Sequence, residues 1–241
     1  MAKAERNKAW SEMARQIAHE IKNTLTPIQL ELQMLMRKKK NNDPVWIERF
    51  DKACDVILEH IKILTDTASL FSSVAKIYED EPQRMDLNAM VKEHITIYEN
   101  RDNIKVSYMG MENSIIMAPR SQIIRVYVNL MTNSVQAIEN EQADQSARGE
   151  TPFQGEVIVC LRRSTRDGYY DLVVEDNGPG VKDENLEKLF NPNFTTKSSG
   201  TGLGLAICRN IIEECKGEIK YKKSFALKGA SFTVTLPRYD D

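Results

Sequence analysis

From residue 10 to residue 40 the chain contains no glycine and only one proline. Its apolar residues recur there at Ile17, Ile21, Leu25, Ile28, Leu32 and Leu35, in steps of 4, 4, 3, 4 and 3. That is the helical period, and it commits the N-terminal third of the chain to long helices. The run ends in Arg37-Lys38-Lys39-Lys40, charges that suit a helix C-terminus. Asn41-Asn42-Asp43-Pro44 then predicts a turn, with Asp43 as N-cap and Pro44 at the first position of the next helix. The second helix carries Phe50, Cys54, Ile57, Ile61, Leu64, Ala68, Phe71, Ala75 and Tyr78, with a further row at Val56, Ile63, Leu70 and Ile77. A stripe that wide buries more than one partner helix can cover. The spacing therefore predicts an antiparallel helical hairpin that dimerises into a four-helix bundle. The alternative is a monomeric hairpin packed on the rest of the chain.

His19 stands apart from this stripe. At about 100° per residue it points roughly 200° away from Ile17, toward solvent. Asn23 follows one turn later on the same outer face, Lys22 flanks it, and Glu20 is adjacent. A neutral imidazole beside a carboxylate can act as a nucleophile whose ring the carboxylate orients or deprotonates. A lone surface histidine usually does nothing of the kind, and His60 and His94 lack comparable neighbours.

The whole chain of 241 residues has 33 basic and 35 acidic residues, a net charge of -2. That balance argues against a nucleic-acid partner. The apolar runs are only a few residues long, too short to span a bilayer, so direct membrane contact by this stretch is not expected. Cys54, Cys160, Cys208 and Cys215 have no C-x-x-C spacing. They are expected to be reduced, mostly buried thiols in a cytoplasmic protein, and a zinc site is not expected.

Glu79-Asp80-Glu81-Pro82 breaks the helical pattern, which places a domain boundary near residue 80: one domain at 1–80, a second at 81–241. The second alternates strand and helix signals. Strands are expected at Arg84–Leu87, Ile104–Met109, Ser114–Met117, Glu156–Ser164, Tyr169–Glu175, Glu218–Lys223 and Ser231–Leu236. Helices are expected at Asn88–Glu99, Arg120–Glu139 and Gly202–Cys215. The polar stretch Asn140–Gln154 is expected to be a mobile loop. The fold class is thus α+β, the second domain being a sandwich of a largely antiparallel sheet with helices on one face.

Five of the eleven glycines fall between Gly178 and Gly204. Asp176-Asn177-Gly178-Pro179-Gly180 follows a strand, and Gly200-Thr201-Gly202-Leu203-Gly204-Leu205 precedes a helix. Glycines admit close approach of a ligand, and a helix N-terminus offers N–H groups to phosphate. The spacing fits neither a P-loop nor a dinucleotide fingerprint. Upstream, Asn129 and Asn133 sit four apart on one helix face, with Ile124, Val128, Met131 and Val135 opposite. Such an amide pair can ligate a Mg2+ that also holds phosphate oxygens, or can simply face solvent.

Taken in order, His19 to Asn23, Asn129 to Asn133, Asp176 to Gly180, Phe190 to Lys197 and Gly200 to Leu205 resemble the histidine, asparagine, first-glycine, phenylalanine and second-glycine boxes of bacterial sensor histidine kinases. The segment from Ile17 through Leu30 is most similar to the NtrY-type subgroup. The resemblance implies a dimerisation and phosphotransfer hairpin followed by an ATPase domain of the gyrase/histidine-kinase type. It implies ATP and Mg2+ as ligands and a response-regulator receiver domain as partner. His19 would be the phosphoacceptor, Glu20 its acid/base partner, and Asn23 would position water for dephosphorylating the regulator. Asn129 and Asn133 would serve Mg2+ and phosphate, and Asp176 the adenine amino group. Gly178, Gly180, Gly200, Thr201, Gly202, Leu203 and Gly204 would form the nucleotide loops, and Lys197 would reach the phosphates from a lid. A nucleotide-binding dimeric scaffold and another ATPase of the same fold are the rivals. The start at Met1-Ala2-Lys3 suggests a piece of a longer protein, whose parent would be anchored in the inner membrane through other segments.

Three positions depart from the family's pattern. Thr24 stands where proline is usual, so any bend must come from Pro27. Asn193 replaces an aromatic, and Ala230 replaces a threonine that often supports the adenine.

Overall fold

The computed structural model describes residues 2–41, 47, 49–61, 64, 81–99, 101, 103–192, 194–196 and 202–239, with backbone alone for residues 2–20. The chain divides into two compact units, one holding residues 1–76 with 195–201, the other 77–194 with 202–241. No helix among the described residues is long and apolar enough to cross a membrane.

In the first unit, helix α1 (Ala2–Lys40) runs 39 residues with Pro27 inside it. A proline there removes one backbone donor, and beside it Thr26 donates its hydroxyl to the Lys22 carbonyl at 2.8 Å. Thr24 is buried. A second helix, α2, spans residues 49–61, with Ala53 buried. The turn expected at residues 42–44 and the helical row from Ala68 to Tyr78 lie outside the described residues. The apolar stripe is split by its surroundings. Ile21, Ile28 and Leu35 are half-buried, whereas Leu25, Leu32 and Met36 on α1 and Phe50, Leu58 and Ile61 on α2 are exposed.

The second unit is built on a five-stranded sheet in the order β2-β4-β5-β7-β6, where β2 is Ile104–Met109, β4 Gly155–Arg163, β5 Tyr169–Asp176, β6 Glu218–Lys223 and β7 Ala230–Pro237. β2 runs parallel to β4, and the other pairs are antiparallel. A separate antiparallel pair joins β1 (Gln83–Asp86) to β3 (Ile115–Ala118). Helices α3 (Leu87–Glu99), α4 (Arg120–Ala147) and α5 (Gly204–Glu214) complete the unit. Period-two alternation in β4 buries Val157, Val159 and Leu161, and β7 buries Phe232, Val234 and Leu236. α4 packs on β4 and β5, and α5 on β6, β7 and α4. Leu130, Ile138, Leu172, Ile211 and Ile212 fill the space between the layers.

Three expectations need correction. Residues 140–147 are not loop: α4 continues to Ala147. Gln142 donates to the carbonyls of Asn103 and Phe153, and Gln145 accepts from the Phe153 N–H, so the polar side chains tie the helix to the returning chain. The helix stops where Gly149 takes φ +76°. The buried face of α4 carries Ile123, Tyr127, Leu130, Ser134 and Ile138 along with the expected Met131 and Val135, while Ile124 and Val128 are only half-buried. Of the cysteines, Cys208 alone is buried, and burial pushes its thiol up to about 12. The other three are half-buried.

α5 ends in a paired reversal. Lys216 N–H donates to the Glu213 carbonyl and Gly217 N–H to the Ile212 carbonyl, with Lys216 at φ +58°. Lysine pays a steric cost in that left-handed position, which glycine avoids. Lys216→Gly should therefore raise stability by about 0.5–1 kcal/mol. At the next residue the sign reverses: a Cβ on Gly217 would lie 2.3 Å from the Thr235 carbonyl oxygen. Gly217→Ala should lower stability by about 1–3 kcal/mol. Urea unfolding of the two variants checks both signs.

Candidate functional site

The site begins at the C-terminal end of β5. Asp176 is only 1% exposed, and its carboxylate is held from three directions. Oδ1 accepts the backbone N–H groups of Gly178 and Ala230, both at 3.0 Å, and Oδ2 accepts the Ser134 hydroxyl at 2.8 Å. Burial raises the carboxyl above the ordinary aspartate range, and the three donors act in the opposite direction. A carboxylate has about four acceptor positions. Two donors on Oδ1 and one on Oδ2 leave Oδ2 able to accept one more.

The surrounding backbone is close enough to demand glycine. A Cβ on Gly229 would lie 2.3 Å from the Asp176 carbonyl oxygen and 2.6 Å from its Oδ1. One on Gly178 would sit 3.2 Å from Oδ1 and 3.4 Å from the Ala137 Cβ of α4. Gly180 takes φ +71°, which favours glycine. Asn177 anchors the start of this loop to β4: its Oδ1 accepts the Glu156 N–H at 2.7 Å, and its Nδ2 donates to the Gln154 carbonyl.

α4 brings the amide pair to the same region. Asn133 Nδ2 donates to Asn129 Oδ1 at 2.9 Å, the contact expected for positions four apart. Asn129 also faces the start of α5, where a Cβ on Gly204 would lie 2.5 Å from its Nδ2. Gly202 takes φ +66°, and Leu203 at the N-cap offers no side-chain acceptor to the first N–H groups of α5. A helix N-terminus of this kind carries partial positive charge and free donors. The second unit thus joins a buried acceptor, an amide pair and a glycine-bordered helix start along α4.

Other expected site residues lie elsewhere. His19 and Glu20 are on α1 in the first unit, their side chains outside the described set, and Asn23 on the same helix is exposed. Lys197, Gly200, Thr201 and Asn193 are outside the described residues. His60 and His94 each place Nδ1 near a carbonyl one turn back in their own helices, Val56 at 2.8 Å and Met90 at 2.9 Å. Ser134 and Gly229 belong to the site but were not expected there. Ser134 directly follows the second asparagine. Gly229 directly precedes a strand, and that adjacency was its only signal. Ala230 contributes through its N–H, which any residue but proline supplies.

Residues 119–240 match the family described as histidine kinase-, DNA gyrase B- and HSP90-like ATPase. The nitrogen regulation protein NtrY of Azorhizobium caulinodans is 33% identical over 236 residues, 97% of this chain and 29% of that protein. The signal transduction histidine-protein kinase AtoS of Escherichia coli is 32% identical over 98% of this chain and 36% of its own length. The chain thus spans about a third of the length of these relatives. Among solved structures, the catalytic domain of histidine kinase ThkA is 29% identical with a TM-score of 0.54, over 66% of this chain and 96% of that one. ThkA in complex with the response regulator TrrA aligns over 98% of this chain and 64% of that chain, at 26% identity and a TM-score of 0.64. Sequence match and fold agree: the chain belongs to the histidine kinase-, DNA gyrase B- and HSP90-like ATPase family, and is similar over nearly its whole length to the catalytic cores of bacterial sensor histidine kinases, NtrY among them.

Proposed function

We propose that this chain binds ATP in its second unit, transfers the γ-phosphoryl group to His19, and passes it to an aspartate of a response-regulator receiver domain. The observation that carries the reading is the buried Asp176 carboxylate, positioned by Ser134, Gly178 and Ala230 with acceptor capacity to spare. That arrangement suits the exocyclic amino group of adenine. The N-terminus of α5 and the amides of Asn129 and Asn133 suit the phosphates. Mg2+ fits this donor set, since amide oxygens and phosphate oxygens are its ordinary ligands; when bound it neutralises phosphate charge.

The chemistry divides among the chain's own groups. A neutral ring nitrogen of His19 attacks the γ-phosphorus, the bond to the β,γ-bridging oxygen breaks, and ADP departs. Glu20 takes the ring proton. The receiver carboxylate then attacks the same phosphorus, the P–N bond breaks, and Glu20 returns the proton to the ring, regenerating neutral His19. Such transfers need positioning and charge neutralisation more than covalent help. The exposed apolar rows on α1 and α2 favour a homodimer, in which a second hairpin covers Leu25, Leu32, Phe50, Leu58 and Ile61. Asn23, one turn beyond His19, is assigned to hold the water that hydrolyses the regulator's phosphoaspartate.

Asp176→Asn keeps the size and the contacts to Gly178 and Ala230 but makes half of the group a donor. ATP binding measured by calorimetry should weaken by about 1–3 kcal/mol; unchanged affinity removes Asp176 from the site. The raised carboxyl gives this variant a pH signature. A group whose folded pKa is raised contributes stability below its unfolded pKa and loses it as pH rises through the folded value. The wild type should therefore lose stability relative to the variant as pH rises from about 4 toward neutral, which thermal melts across that range will show.

Incubation with labelled ATP and Mg2+ should place acid-labile, base-stable label on the wild type. His19→Gln should abolish that label and leave ATP affinity unchanged, because the substitution lies in the other unit. Label persisting in the variant would move the acceptor elsewhere. Asn23→Ala should slow dephosphorylation of the regulator by about tenfold or more, the scale of a lost orienting group, and spare autophosphorylation. Equal loss of both rates would indicate a damaged helix instead.

A further inference from the structure

We infer that Tyr221 is a positioning residue for the base end of the nucleotide site, holding the loop that follows Asp176 through its phenolic oxygen; the inference rests on the nucleotide reading above. Tyr221 lies on β6, an edge strand remote in sequence from the loop, directly opposite Phe232 of β7. Its ring meets Phe232 edge-on, with centroids 5.4 Å apart. Beyond the ring, its oxygen accepts the Val181 N–H at 3.0 Å.

That bond closes the loop. At one end the Gly178 N–H donates to Asp176 Oδ1, and at the other the Val181 N–H donates to Tyr221. Between them stand Pro179, whose own φ is fixed, and Gly180 in its left-handed conformation. A Cβ on Gly180 would lie 3.4 Å from the Gly229 carbonyl oxygen and 3.5 Å from the Tyr221 oxygen. The tyrosine and the β6–β7 turn thus form the wall against which the loop turns. The turn itself is fixed: Ser224 N–H donates to the Gly229 carbonyl, and Leu227 N–H to the Ser224 hydroxyl.

The ring and the oxygen have separable tasks. The ring belongs to an aromatic row in which Phe232 also meets Phe190 edge-on at 6.5 Å, with the Arg209 guanidinium 6.0 Å from the Phe190 centroid. That row is packing. Among the described residues the oxygen's hydrogen bond is to the loop alone. A loop already held in its bound path loses less freedom when a ligand arrives, and affinity gains accordingly.

Tyr221→Phe removes the oxygen and keeps the row. In the full chain it should weaken ATP and ADP binding by the same factor, about threefold to tenfold, the scale of one lost neutral hydrogen bond. Without nucleotide, Val181 amide exchange should accelerate, with little change in melting temperature. Tyr221→Leu, which loses the ring as well, should melt lower. Unchanged Val181 exchange in Tyr221→Phe would overturn the inference. So would unchanged affinity, whether or not melting falls, or a loss confined to ATP, which would place the effect at the phosphates. If the wild type binds neither nucleotide, the functional reading fails, and Val181 exchange still decides whether Tyr221 holds the loop.

Discussion

The buried Asp176 carboxylate organises the second unit. Asp176 is drawn out of water at the end of β5, and three groups from separate parts of the chain answer it: the Ser134 hydroxyl from α4, the Gly178 N–H from the following loop and the Ala230 N–H from β7. An unpaired carboxylate in that position would be too costly to keep ionised. The same bonds that offset part of this cost bring helix, loop and strand to one point. Gly229 completes the enclosure because anything larger would collide with the Asp176 backbone. The contacts that form the candidate site and those that hold the local architecture are here the same set.

α4 is the element through which this arrangement reaches the rest of the unit. Its buried face packs on β4, β5 and α5, while Asn129, Asn133 and Ser134 reach the functional region from adjoining positions. The 3.6-residue repeat makes this compatible, since residues four apart share a face and the neighbouring row turns inward. Gly204 then lets α5 begin directly against Asn129, bringing the positive end of one helix to the amide pair of another. Asn129, Asn133 and the start of α5 depend on core packing for their spacing rather than on loops.

The first unit follows a different rule. Its helices carry a seam that a single chain covers only in part: Ile28 and Leu35 are half-buried while Leu25 and Leu32 on the adjoining edge meet solvent. Apolar rows of this kind gain stability when a further helical surface covers them. The long unbroken helix also carries Pro27 without interruption, with the Thr26 hydroxyl bonded to the Lys22 carbonyl nearby.

The sequence by itself determined whatever depends on local periodicity and backbone permissiveness. The spacing of Ile17 through Leu35 specifies a helix, the alternation of Val157, Val159 and Leu161 a half-buried strand, and Gly178, Gly180, Gly202 and Gly204 mark where the chain must turn or let another group approach. Those signals need only near neighbours, and with Asn129, Asn133 and Asp176 they made most of the candidate site legible. Tertiary structure decided what depends on residues distant in the chain. Residues 140–147 are helical because Gln142 and Gln145 find partners across a reversal, a gain invisible to polarity alone. Ser134, Gly229 and Tyr221 acquire their roles from what faces them, since a hydroxyl, a missing side chain and a phenol mean little until a carboxylate, a backbone and a loop N–H arrive within about 3 Å, where hydrogen bonds form and atoms collide.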